Sequence, residues 1–297
     1  MGFDPKRMLK IMRQYSHVAR AIDPTYPTNV AISAISPVAG LIAGGITLYN
    51  GAGFGDAILA SFLMSIAVLM TWVIGREIDP DNDYSAFVGV VITFLAMLWL
   101  SNPMIAIMSI AMLTVAPRFV NRIVGPPPLL TDSIMLLVLA AIIAYGTNWV
   151  LVLVVTLVFF LNATMINPVR RDYIFAGLTL VILVGRILIW GMETAGDVFS
   201  LPYIAIMVGI GIFYLLTVLA NRHIDSVTDE FGYEVYQERV RAGMIVILAA
   251  GLIGALWNGD TGIVWLLPAW SAMLGVSIFR LPVTVRELLQ FQQRRTQ

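Results

Sequence analysis

Glu77, Asp79, Asp81 and Asp83 fall within seven residues of one another in the segment GREIDPDNDYSAF, residues 75–87. Carboxylates alternating this closely could present several hard oxygens to Mg²⁺ or Ca²⁺. Asp225 and Asp229, in HIDSVTDEF at 223–231, form a second acidic stretch on another polar connection. Together these six residues are the candidate metal or phosphate set, with Mg²⁺ the one cofactor they suggest. A helix–loop–helix calcium site needs a Gly after its third acid and a Glu six residues beyond that Gly. Tyr84 and Val90 stand there instead, so that loop is excluded. The competing reading is architectural. Pro80 ends one helix, and Asp83 or Ser85 caps the next by accepting its free N–H groups, while Arg76 pairs with Glu77 or Asp79. The architectural reading predicts a capped turn whose cation binding is weak and dispensable.

A second chemical candidate is Arg186, in LVGRILIW, a basic residue inside an apolar run. A charge at the centre of a bilayer costs at least about 2.5 kcal/mol, so such residues are functional candidates by default. Arg186 lies near the end of its run, however. Its head could snorkel outward to Glu193, Asp197, Asp56 or Asp260. The expectation is a structural bridge at the outer face.

The elements that carry these residues are membrane helices. Of 297 residues, 59% are hydrophobic and 12% charged, against roughly 25% charged in soluble domains. Apolar runs recur at about the 20-residue length that a bilayer requires. Ten spans can be drawn, at 30–49, 55–75, 85–100, 103–119, 130–146, 149–166, 173–192, 201–220, 242–257 and 262–280. The fourth is short before Pro117, so it must run on past that proline or fail to span straight, and the prolines at 126–128 are a firm break before the fifth. With this division every Lys and Arg except Arg186 lies on one side. The positive-inside rule makes that side cytoplasmic and places both termini there. Trp99, Trp149, Trp190 and Trp257 lie at the opposite ends, where aromatic rings anchor helices at the headgroups. The predicted fold is thus an all-α polytopic membrane protein of about ten transmembrane helices, arranged as five hairpins with short outer turns.

Three parts follow: an amphipathic cytoplasmic N-terminal segment at 1–28, a transmembrane domain at 29–281 and a cytoplasmic tail at 282–297. The first has no signal-peptide core. Its helical pattern suits either an anionic membrane surface or the protein's own loops. Gly40 and Gly44 in span one and Ser61 and Ser65 in span two mark close-packing faces. Pro37 and Pro268 are candidate kinks. Ile224, Val227, Phe231 and Val235 would share a face of a short helix in the 221–241 connection. The chain has no cysteine, which excludes disulfides and thiolate sites, and its net charge of zero argues against nucleic acid.

REID followed by Pro80 is similar to part of the Asp-rich Mg²⁺–diphosphate motif of membrane aromatic prenyltransferases. The Asn-Asp pair of that motif is Thr71-Trp72 here, and Gly75 stands where another Asp belongs. The layout of ten helices with both termini inside is similar to the drug/metabolite transporter superfamily. These residues give three expectations for function. The first is a non-catalytic membrane subunit or scaffold, partnered by lipids and by other subunits or further copies of itself. The second is a small transporter of a neutral or amphiphilic solute. The third is a Mg²⁺-dependent enzyme acting on a lipid phosphate or diphosphate. The expected location is a plasma membrane or its equivalent.

Overall fold

The structure, a computed structural model, describes residues 13–20, 23–101, 103–146, 148–192, 199–221, 224–229 and 232–295, with side chains to Arg286. From Pro27 on, ten α-helices follow among these residues. They are α1 (Pro27–Tyr49), α2 (Phe54–Ile78), α3 (Ser85–Trp99), α4 (Ile107–Asn121), α5 (Leu130–Tyr145), α6 (Val152–Thr164, entered through a 3₁₀ turn at Trp149–Leu151), α7 (Asp172–Trp190), α8 (Leu201–Ala220), α9 (Gln237–Trp265) and α10 (Leu267–Arg295). Six of them, α1, α2, α7, α8, α9 and α10, are long and apolar enough to cross a membrane. The other four are apolar but shorter. Fifteen residues of α3 or α4 reach about 22 Å, less than a hydrocarbon core of about 30 Å.

Small residues decide which helices touch. A Cβ on Gly40 would lie 2.1 Å from the Ser65 hydroxyl, and one on Gly44 would lie 2.1 Å from that of Ser61. The α1–α2 contact therefore runs along the small faces read from sequence, and Ser36 adds a 2.8 Å bond to the Ser65 carbonyl. Gly275 of α10 meets Gly89 of α3 backbone to backbone. Between helices with no water to exclude, such close approach supplies the dispersion contacts that hold them together. Threonine pairs add polar bridges: Thr71 to Thr93 at 2.7 Å joins α2 and α3, and Thr156 to Thr179 at 2.9 Å joins α6 and α7. The centre of the bundle is α2, α4, α9 and the first half of α10, whereas α1, α7 and α8 present most of their apolar surface outward.

Pro117 lies inside α4, which runs on past it to Asn121. Several local expectations change. Pro268 sits in the first turn of α10, where a missing N–H costs nothing, so it makes no kink. The range given for α9 holds two helical pieces across a break, and that turn is tighter than expected. At Gly259 the backbone takes φ 60°, and the chain reverses so closely that a Cβ on Gly262 would lie 2.1 Å from the Gly254 carbonyl. Helix α10 runs on to Arg295. The 224–235 connection does not form a helix among its described residues. Val227 pairs with Glu234 as an isolated bridge, and Gly232 turns at φ 63°. A reversal at glycine removes the shared helical face that the apolar spacing suggested.

The N-terminal residues 13–20 pack on the protein itself. Ser16 donates to Asp132 at 2.5 Å, the His17 N–H reaches the same carboxylate at 2.9 Å, and Thr131 donates to the Tyr15 carbonyl. Asp132 also accepts the Leu129 N–H at 2.8 Å, so one buried carboxylate caps α5 and anchors the incoming chain.

Candidate functional site

The polar residues converge at one end of the bundle. There the C-terminal ends of α2, α4, α6 and α8 meet the N-terminal ends of α5, α7 and α9. The acids of the 75–87 segment are distributed among arginines from distant parts of the chain.

Asp79 is fully buried at the end of α2. Arg280 of α10 donates to its Oδ1 from Nε at 2.8 Å and from Nη2 at 2.7 Å. Nη2 also reaches Asp81 Oδ2 at 3.1 Å, and Nη1 donates to the Asn221 side-chain carbonyl at 2.6 Å. The Asn82 amide adds two bonds to Asp79, at 3.0 and 3.2 Å. The other oxygen of Asp81 accepts the backbone N–H groups of Asp225 and Ser226 at 3.2 and 3.0 Å, and the Ser226 hydroxyl at 2.7 Å. One guanidinium and two carboxylates thus join α10, the α2–α3 turn, the end of α8 and the connection after it.

Glu77, also buried, forms a second brace. It accepts Arg118 Nε at 2.9 Å and Asn121 at 3.3 Å, with Arg20 at 3.6 Å. Arg20 in turn pairs with Asp229 at 2.9 Å. Asp83 pairs with Arg76. The structure therefore brings Asp79 and Asp81 together on Arg280, and Glu77 and Asp229 together on Arg20. Asp225 contributes its backbone N–H, and the residue is exposed. The capping expectation is not met: Tyr84 precedes α3 without a side-chain cap bond, and Ser85 donates to the Asn82 carbonyl instead. Arg76 takes Asp83, not Glu77 or Asp79, because those two are already held by arginines from other helices. Among the described residues, no group of three or more His, Asp or Glu is placed to hold a metal ion.

A third brace was not visible in the acidic motif. Arg122 and Arg239 converge on the Asn162 side-chain oxygen, at 2.5–3.2 Å and 3.4 Å. Their remaining donors take carbonyls at helix ends, Asn167 for Arg122 at 2.9 Å, and Val120 and Ile166 for Arg239 at 2.9 and 3.0 Å. Cations there satisfy orphan carbonyls and complement the negative end of the helix dipole. Asn162 passes its amide to Asp172 at 2.6 Å, and Ser133 joins at 3.0 Å. Burial first, and the like charge of Arg239 second, push the Arg122 guanidinium down to about 9, so it stays charged at neutral pH. The available signal was Asn162, a polar residue inside the apolar run VLVVTLVFFLNAT.

No protein family, curated protein or solved structure matches this chain.

At the opposite end, Arg186 is buried between two indoles, 5.7 Å from the Trp149 ring and 5.3 Å from that of Trp190, and donates to the Gly191 carbonyl at 3.3 Å. Trp149 packs edge-on against Trp257, and Tyr145 against Trp190. Of the acids proposed for Arg186, Asp260 accepts the Ser200 N–H at 3.1 Å and Asp56 is exposed in the first turn of α2. Glu193 and Asp197 lie outside the described residues. Desolvated cation–π contacts are worth about 2 kcal/mol, so Arg186→Leu is expected to lower the unfolding free energy by at least about that amount. Arg186→Lys should recover only part, because an ammonium does not stack on a ring as a guanidinium does. Equal stability of the Leu variant together with complete loss of function would contradict this structural role.

Proposed function

We propose that this chain is a non-catalytic membrane subunit or scaffold, crossing the bilayer ten times with both termini in the cytoplasm. Its long apolar helices support membrane insertion. The observation that carries the reading is the use made of charge. Glu77 and Asp79, the most buried acids of the candidate set, each bind an arginine from another helix and so serve as braces. An enzyme acting on a lipid diphosphate needs such acids free to hold Mg²⁺, which keeps several waters and binds through substrate phosphate and one or two carboxylates.

The activity test measures Mg²⁺-dependent turnover of prenyl and undecaprenyl diphosphates by the purified chain. No turnover is expected, together with retention of a stoichiometric partner, or self-association, after mild detergent extraction. Turnover that vanishes in Asp79→Asn would replace this reading with the enzyme.

The short helices α3–α6 make the crossing number a separate question. Its support is the convergence of alternate helix ends on the arginine-rich face, the alternation that ten crossings require. Cysteines placed singly at Gly53 and Met192 should react with impermeant maleimide from outside. Cysteines at Tyr84 and Tyr233 should react only after permeabilisation. Outside labelling at Tyr84 would break the topology at the first hairpin.

A further inference from the structure

Beside the Arg280 brace lies a cavity of about 460 Å³, lined by Asp81, Asn82, Asp225, Ser226, Phe279, Arg280 and Val283. Its walls are of two kinds. Phe279 and Val283 are exposed apolar side chains of α10, where that helix leaves the apolar part of the bundle. The remaining walls are polar, and their donors are largely turned inward. Arg280 gives its Nε and Nη2 to Asp79 and Asp81 and its Nη1 to Asn221. Asn82 gives its amide to Asp79, and Ser226 gives its hydroxyl to Asp81. The polar lining residues keep acceptor capacity beyond these bonds: the carboxylate of the exposed Asp225, the side-chain oxygens of Asn82 and Ser226, and a second lone pair on Asp81 Oδ2. Charge agrees with this. Among the described lining residues, Asp81 and Asp225 against Arg280 leave a net of one negative charge. An anion would meet carboxylates and a guanidinium already neutralised, while a cation rich in N–H donors would meet open acceptors.

We propose that this cavity seats a primary ammonium group carried on an amphiphile. Asp225 and Asp81 take the charge, Ser226 and Asn82 accept further N–H bonds, and Phe279 and Val283 pack on the chain beside it. The ammonium chemistry has two sources, the headgroup of phosphatidylethanolamine in the membrane or a soluble polyamine, and the position of the apolar wall favours the lipid.

The test uses the full chain in phosphatidylcholine nanodiscs supplemented with phosphatidylethanolamine, or with its N-methyl or N,N-dimethyl derivative. Retained lipid is read by native mass spectrometry, and the melting midpoint in parallel. Phosphatidylethanolamine should raise the midpoint by about 2–4 °C, with the effect falling as each N–H is replaced by methyl. Asp225→Asn, at an exposed position that should not disturb folding, should weaken retention about tenfold, the loss of one charge-assisted bond. Val283→Trp should block it by filling the cavity. Spermidine that displaces the lipid and stabilises the chain equally in pure phosphatidylcholine would support the ammonium site and make the soluble amine its source. Equal retention of all headgroups, or unchanged retention in Asp225→Asn and Val283→Trp, would overturn the proposal.

Discussion

Asp79→Ala is expected to lower the unfolding free energy by about 3–5 kcal/mol, the cost of leaving a buried charge without its partner. Arg280 would keep only the Asp81 bond at 3.1 Å and a neutral acceptor at Asn221. Arg280→Met should lose a comparable amount, since Asp79 would then be fully buried with only the Asn82 amide beside it. The double variant, Asp79→Ala with Arg280→Met, should lose much less than the two single changes added together, because the second change removes the unpaired buried charge that the first leaves. Unfolding of the reconstituted chain by denaturing detergent, in a double-mutant cycle, measures this directly. Strict additivity would mean that the two residues do not act as a unit.

Gly275→Ala is the second large effect expected. The added Cβ would lie 2.2 Å from the Gly89 nitrogen and 2.5 Å from its Cα. Both are backbone atoms, so no side chain can swing aside and α3 must separate from α10. Overpacking of this kind costs at least about 2 kcal/mol. Gly177→Ala on α7 is the control, since nothing lies within 4 Å of the added atom. Alanine is the better helix former by about 1 kcal/mol, so that change should be neutral or stabilising. Equal losses at 177 and 275 would show that helix packing is not what the glycine at 275 permits.

These two sites also show what was legible in sequence. Apolar periodicity and bilayer length located the helices, because those signals are local to each run. The small faces at Gly40, Gly44, Ser61 and Ser65 were equally readable, since i, i+4 spacing defines one helix face. The contact of Gly275 with Gly89 was not readable, because it depends on which helices are neighbours, and short loops do not fix that for residues 186 positions apart. The acidic segment was found for its density of charge, and its partners were missed for the same reason. Arg280 lies 201 residues from Asp79, and Arg118 lies 41 from Glu77. Sequence proximity favoured Arg76 for those acids, and tertiary structure gives Arg76 to Asp83. The Asn162 centre was silent because its members are one polar residue in a span and arginines that looked like ordinary positive-inside charges. At Arg186 two of the acids expected as partners lie outside the described residues, and the flanking indoles add contacts that charge alone does not suggest.

We propose that the buried carboxylates of the 75–87 segment serve as braces between helices, with any cation binding weak and dispensable. The most direct test is the melting temperature of the wild-type chain and of Asp79→Asn, each with and without Mg²⁺. The brace predicts a lower melting temperature in Asp79→Asn by the same amount in both conditions, and no Mg²⁺ shift in the wild type. A rise of several degrees with Mg²⁺ in the wild type, abolished in Asp79→Asn, would contradict it.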